Sequence, residues 1–257
     1  MGRVPRVRRR KRLGFSYRFA VVLLYPLMRT FVKWDIRGSD RLTDEPGGVI
    51  AAPNHISWFD PLVVSYVLWT ADRPPRFLAK EAMFRIPVIG RIIANAEQIP
   101  VYRDSTDAGN AIRDALTALD AGECVVVYPE GTITRDPSLW PMSAKTGAVR
   151  LALMSGRPLI PIAQWGAQEV MGPYRKEFRI LPRKTVHVRV GPPVDLQGLS
   201  SPPDTHTLAE GGRRLMDAIT DLLSEIRQEP APATRFVFHR DEQGSRTAAD
   251  SRTEEAQ

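Results

Sequence analysis

Apolar residues along the chain come in two spacings, short unbroken runs and longer stretches at helical intervals, and the two alternate. The runs GGVIAAP (47–53), RFLAK (76–80), EQIPVYR (97–103), ECVVVYP (123–129) and PLIPIAQ (158–164) have the length and the Gly/Pro punctuation of buried strands. VHVRV (186–190) alternates as a half-buried strand does. Helices are expected from Pro61 to about Trp69, with Pro in the first turn, and over VIGRIIANA (88–96). A third carries Ala108, Ala111, Ile112, Ala115, Leu116 and Leu119 at helical spacing and ends at Gly122. KTGAVRLALMSG (145–156) is expected to stop at Gly156, and Leu215, Met216, Ile219, Leu222, Leu223 and Ile226 mark one face of a last amphipathic helix. Strand and helix in alternation predict an α/β fold, a mainly parallel sheet flanked by helices. There is no internal repeat.

The two ends break this pattern. RVPRVRRRKR (3–12) carries seven basic residues and no acid, which accounts for the whole net charge of +7 and leaves the remainder near neutral. Such an arm points to an anionic partner, nucleic acid or phospholipid. The apolar stretch that follows, YRFAVVLLYPLMRTFVKW (17–34), is interrupted by Arg18, Pro26 and Arg29. Its run from Phe19 to Met28 is ten residues, against about twenty needed to span a bilayer. It reads as a helical segment lying in the membrane interface beside a basic patch, or as a core helix with a charged extension. Three regions follow: 1–33 as basic arm and interfacial helix, 34–228 as the folded domain, and 229–257 as a polar, disordered tail. RFVFH (235–239) is the tail's one apolar island and a candidate for docking. Cys124, the single cysteine, opens an apolar strand and reads as a packed small hydrophobe.

The candidate chemistry begins at His55, which follows the first buried strand, with Asp60 five residues on. On a continuous helix that spacing leaves the two about 140° apart, so they meet only if the backbone bends. Pro53 and Pro61 bracket the segment and allow a bend. A carboxylate on an imidazole would fix its tautomer and free the other nitrogen to remove a proton. Asp before Pro at a helix start equally suits an N-cap, and spacing alone leaves both readings open. No G-x-S-x-G elbow, H-E-x-x-H pair, P-loop or G-x-G-x-x-G is present. A base without a protein nucleophile suits direct transfer of an activated acyl group to a hydroxyl. In YPEGTITRD (128–136), Gly131 and Thr132 suit phosphate oxygens, Glu130 suits a cation or hydroxyl, and Arg103, ending QIPVY, could supply a guanidinium; taken singly, the segment reads equally as a strand-to-turn loop with ordinary turn residues.

Taken in order, NHISWFD (54–60), IPVYRD (99–104), YPEGTI (128–133) and LIPIA (159–163) resemble the four motif blocks of the glycerolipid acyltransferases, the 1-acylglycerol-3-phosphate acyltransferases among them. The likeness runs from about Trp34 to Val194, and Lys80 and Lys145 stand where family members commonly carry lysines. The resemblance implies that His55 deprotonates the hydroxyl of a lysophospholipid and that Asp60 orients it. It further implies that Arg103, Glu130, Gly131, Thr132 and Lys80 bind substrate and that acyl-CoA or acyl-carrier protein is the donor. No metal or organic cofactor is implied, and the chain would sit peripherally or monotopically on the cytoplasmic face of the membrane. One departure stands out: Ile133 replaces the usual arginine of the third block, which keeps a different lipid acceptor open. With no recognition motif behind the basic arm, nucleic acid is not the expected partner. An inactive lipid-binding fold would have less reason to keep His55, Asp60, Arg103 and Glu130 together.

Overall fold

The computed structural model describes residues 15–87, 89–101, 108–174 and 177–238. Seven strands form one sheet: β1 (Val32–Arg37), β2 (Val49–Pro53), β3 (Pro75–Lys80), β4 (Ile99–Val101), β5 (Cys124–Val126), β6 (Leu159–Trp165) and β7 (Lys184–Val190). Their order is β1-β7-β6-β2-β5-β3-β4. All neighbours are parallel except β6 and β7, so five strands run one way and the β1–β7 pair runs back.

The central strands β2 and β5 are buried at every position. Both faces of a parallel sheet are covered, so such strands read as unbroken apolar runs. Alternate residues serve opposite layers. Val49, Ala51, Val126, Ile160 and Ile162 meet Val63, Val64, Val67 and Leu68 of α3 (Asp60–Thr70). Ile50, Ala52, Val125 and Leu159 pack on the other face against three helices, α5 (Ala108–Asp120), α6 (Gly147–Ser155) and α8 (Thr205–Arg227). Short helices α2 (Asp40–Thr43), α4 (Ile89–Asn95) and α7 (Ala167–Val170) complete the connections. Gly156 ends α6 in the left-handed region at φ 62°, a stop that glycine makes without steric cost.

The ends differ from the sequence reading. Helix α1 (Phe15–Phe31) runs through Pro26, and β1 begins at Val32, inside the stretch read as one apolar segment. A lone edge strand of mixed polarity, VKWDIR, joined directly to a helix leaves no boundary signal. Tyr66 stacks on Tyr25 (4.9 Å) and Trp34 (4.0 Å), and the Trp34 indole donates to the Met28 carbonyl (3.1 Å), so one face of α1 is fastened to the domain. The other face exposes Val22, Leu23 and Leu27, at 74%, 52% and 44%. Among the described residues, no helix is long and apolar enough to cross a membrane. At the far end, residues 235–238, within the stretch read as a disordered tail, contact the domain. Arg235 pairs with Asp217 (2.7 Å), and the Phe236 carbonyl accepts from the Ser143 amide (3.1 Å).

Arg73, 1% exposed, donates to the carbonyls of Leu42 (2.7 Å), Gly47 (2.5 Å) and Glu45, tying the α2–β2 loop to the start of β3. Replacing it by leucine removes three buried donors that these carbonyls share. Arg73→Leu should cost about 3 kcal/mol, read as a lower denaturant midpoint at unchanged m-value.

Candidate active site

The parallel strands point their carboxyl ends at one edge, where ligands of open α/β sheets collect. Two neighbours in the middle of the sheet, β2 and β5, deliver residues 54–60 and 127–134 there. The chain leaves β2 at Pro53 and bends before α3. Asp60 Oδ2 holds the bend: it accepts from His55 Nδ1 (2.8 Å), the Ile56 amide (2.6 Å) and the Ser57 amide (2.8 Å). The carboxylate therefore faces back along its own chain. Phe59 occupies the N-cap position, so the capping interpretation of Asp60 gives way to the pairing one.

With an acceptor carboxylate on Nδ1, that nitrogen carries the proton and Nε2 presents a lone pair. The imidazole side chain is 14% exposed, whereas Asp60 is fully buried. Burial pushes the Asp60 carboxyl above its ordinary value, against the pull of His55 and the two amides. The ring of His55 stacks on Tyr128 at 4.1 Å. Tyr128 completes one wall of the site; only its position in the YPEG run hinted at a role. Burial likewise raises the Tyr128 hydroxyl, with the Asp60 charge adding to the effect.

Glu130 lies elsewhere than the sequence suggests. Expected on the ligand side, its carboxylate is turned inward and only 2% exposed. One oxygen accepts from the His55 amide and the other from the Met142 amide, each at 3.0 Å. It fixes the backbone of the imidazole rather than facing a ligand. Burial pushes it up to about 8, outweighing the two amide donors that act in the opposite sense. The His55 carbonyl is held as well, by the Thr134 amide at 2.7 Å.

Asn54 anchors the loop from the other side. Its side chain accepts from the Gln164 amide (2.8 Å) and donates to the Gln164 carbonyl (3.1 Å), and the Gln164 side chain donates to the Asn54 carbonyl (3.0 Å). Gln164, at the end of β6, gave no signal in the sequence because its role depends on β6 lying beside β2.

Gly131, at φ 71°, turns the chain back with its amide on the Tyr128 carbonyl (3.0 Å), leaving Thr132 half-buried at the edge. Lys80 closes β3, next to β5, with its side chain exposed on the same edge. Lys145 is exposed and its amide donates to the Pro129 carbonyl (2.7 Å). Arg103 lies outside the described residues. Ile133 is buried at 2% exposure, and the guanidinium of Arg135 lies over the Tyr174 ring at 4.0 Å. Among the described residues, no group of three His, Cys, Asp or Glu side chains could hold a metal ion.

The α/β sheet thus brings an imidazole, a buried carboxylate on its Nδ1 and a glycine turn together at one edge. The acyltransferase family model matches residues 33–165, just over half of the chain, and the chain belongs to that family. It is 29% identical over 154 residues to the chloroplastic 1-acyl-sn-glycerol-3-phosphate acyltransferase of Brassica napus, covering 60% of this chain and 42% of that protein. It is 24% identical over 194 residues to the 1-acyl-sn-glycerol-3-phosphate acyltransferase of Bacillus subtilis, covering 75% and 89%. The chain thus spans about two fifths of the length of the chloroplastic relatives and most of the Bacillus subtilis protein. Its fold is similar to that of the 1-acyl-sn-glycerophosphate acyltransferase of Thermotoga maritima, with a TM-score of 0.61 at 20% identity, covering 84% of this chain and 83% of that one.

Proposed function

We propose that the protein transfers a fatty acyl group from an acyl thioester to the free hydroxyl of 1-acylglycerol-3-phosphate, making phosphatidic acid. His55 Nε2 removes the hydroxyl proton, and the oxygen bonds to the thioester carbonyl carbon. The tetrahedral intermediate then collapses with cleavage of the carbon–sulfur bond. The imidazolium returns its proton to the departing thiolate, so the enzyme ends unchanged. Asp60 stabilises the imidazolium while it exists. The donor is acyl-CoA or acyl-carrier protein, and no metal or organic cofactor enters the scheme. The observation that carries this reading is the 2.8 Å contact between His55 Nδ1 and Asp60 Oδ2, within a family whose relatives are named for this reaction.

An acceptor panel tests it. Purified protein with labelled long-chain acyl-CoA should acylate lysophosphatidic acid, and His55→Ala should slow product formation roughly 100- to 10,000-fold. A second reading has its own support: with Ile133 buried and Arg135 stacked on Tyr174, the cation usual in the third motif is missing. A glycolipid, an amino-acid lipid or dihydroxyacetone phosphate would then be the acceptor, and the same panel separates these outcomes.

The proposed site of action is the cytoplasmic membrane surface. The outward face of α1 would lie in the interface, and the basic arm at 3–12 would meet anionic headgroups. The triple variant Val22→Glu, Leu23→Glu, Leu27→Glu leaves Tyr25 and Met28 in place. Its partitioning onto vesicles containing phosphatidylglycerol should fall at least tenfold in a sedimentation assay, and unchanged partitioning would refute the anchor.

A further inference from the structure

The residues that hold His55 are themselves held by a part of the chain outside the family match. Both backbone polar atoms of His55 are bound from one segment: the amide by Glu130, the carbonyl by the Thr134 amide. The second Glu130 oxygen passes the constraint to the Met142 amide, and Met142 Sδ accepts from the Arg135 amide at 3.1 Å. Residues 130–143 are thus a closed loop with the catalytic backbone in its grip.

That loop is clamped from outside in two places. From the end of α8, Arg227 donates to the Ser138 carbonyl (2.7 Å) and lies 4.3 Å over Trp140 and 4.4 Å over Trp165. Beyond α8 the chain returns across the loop. Arg235 pairs with Asp217, the Phe236 carbonyl takes the Ser143 amide, and the Phe238 ring lies 5.6 Å from the Arg135 guanidinium. Successive amides, Met142 and Ser143, therefore point to Glu130 and to the returning segment. A shift of the second moves the first.

We propose that residues 235–238 form a strap that positions the His55 loop, fastened at Arg235 and Phe238 and bonded to the loop at Phe236. The catalytic half of this inference rests on the acyl-transfer reading; the mechanical half does not. The strap touches no reacting atom, so its residues are positioning residues, and a misplacement of the base of about 1 Å can cost up to about 100-fold.

The test uses the full-length double variant Arg235→Ala, Phe238→Ala, with a chain ending at Thr234 as the stronger form; α8 ends at Arg227, so both keep the core intact. Amide exchange at Met142 and Ser143 should accelerate at least tenfold while Ile50 and Ala51 in β2 stay protected. Turnover should fall about tenfold, with KM for the acceptor within twofold. Arg235→Lys with Phe238→Tyr, which keeps cation and ring, should restore most of the loss. Unchanged exchange at 142–143 overturns the strap, and raised exchange with turnover within twofold of wild type overturns its positioning role. Should the wild-type protein acylate nothing in the panel, the acyl-transfer reading fails, and the exchange result still decides whether the strap exists.

Discussion

Replacing Asp60 by asparagine should lower turnover by roughly 100- to 10,000-fold with little change in fold. The size follows from what the carboxylate does. Three donors converge on Oδ2, and an asparagine carbonyl in the same place can still accept from His55 and from the Ile56 and Ser57 amides. The bend and the tautomer survive; the negative charge does not. In the proposed reaction His55 becomes an imidazolium only 14% exposed, and without the Asp60 charge that cation would lose its partner. KM for the lysolipid should move little, because nothing ties Asp60 to the acceptor. A variant that melts with wild-type cooperativity and still turns over within threefold of normal would remove Asp60 from the mechanism.

The second large effect belongs to Glu130, through stability. Glu130→Ala strands two amide donors, His55 and Met142, in a buried site, at about 1–3 kcal/mol each. A loss of roughly 4 kcal/mol is expected from denaturant titration, with activity falling alongside because the imidazole loses its backbone anchor. Its pH dependence has a definite sign. Burial raises Glu130 from an ordinary 4.5 to about 8, so the folded protein keeps a proton that the unfolded chain has released. Its contribution is full below about pH 4.5, declines as the pH climbs, and is lost above about pH 8. Glu130 should therefore make the wild type lose stability between about pH 4.5 and pH 8, and Glu130→Gln, which cannot titrate, should lose less over the same range. An equal slope in the two proteins would show that Glu130 does not titrate there.

The layered fold was readable because the physics that builds it also marks the sequence. Strands covered on both faces must be apolar throughout, and β2, β5 and β6 announce themselves that way. What escaped the reading depends on neighbours distant in sequence. Glu130 was assigned to ligand because nothing in YPEGT reveals that β5 lies beside β2, which brings residue 130 against residue 55. Gln164 and Met142 were missed for the same reason. His55 and Asp60 were legible as a pair, but the bend that joins them is made by the amides of Ile56 and Ser57, and side-chain patterns say nothing of amides. β1 was lost where an edge strand continues from a helix. The returning segment at 235–238 was visible only as an apolar island, since its one backbone bond to the loop carries no sequence signature.

The dyad's unity is best tested by a double-mutant cycle on single-turnover acyl transfer to the best acceptor from the panel. If Asp60 acts only through His55, then His55→Ala with Asp60→Asn should be no slower than His55→Ala alone, although each single change is severe. Losses that multiply would mean that the two side chains contribute separately, and the base proposed here would not be His55 oriented by Asp60.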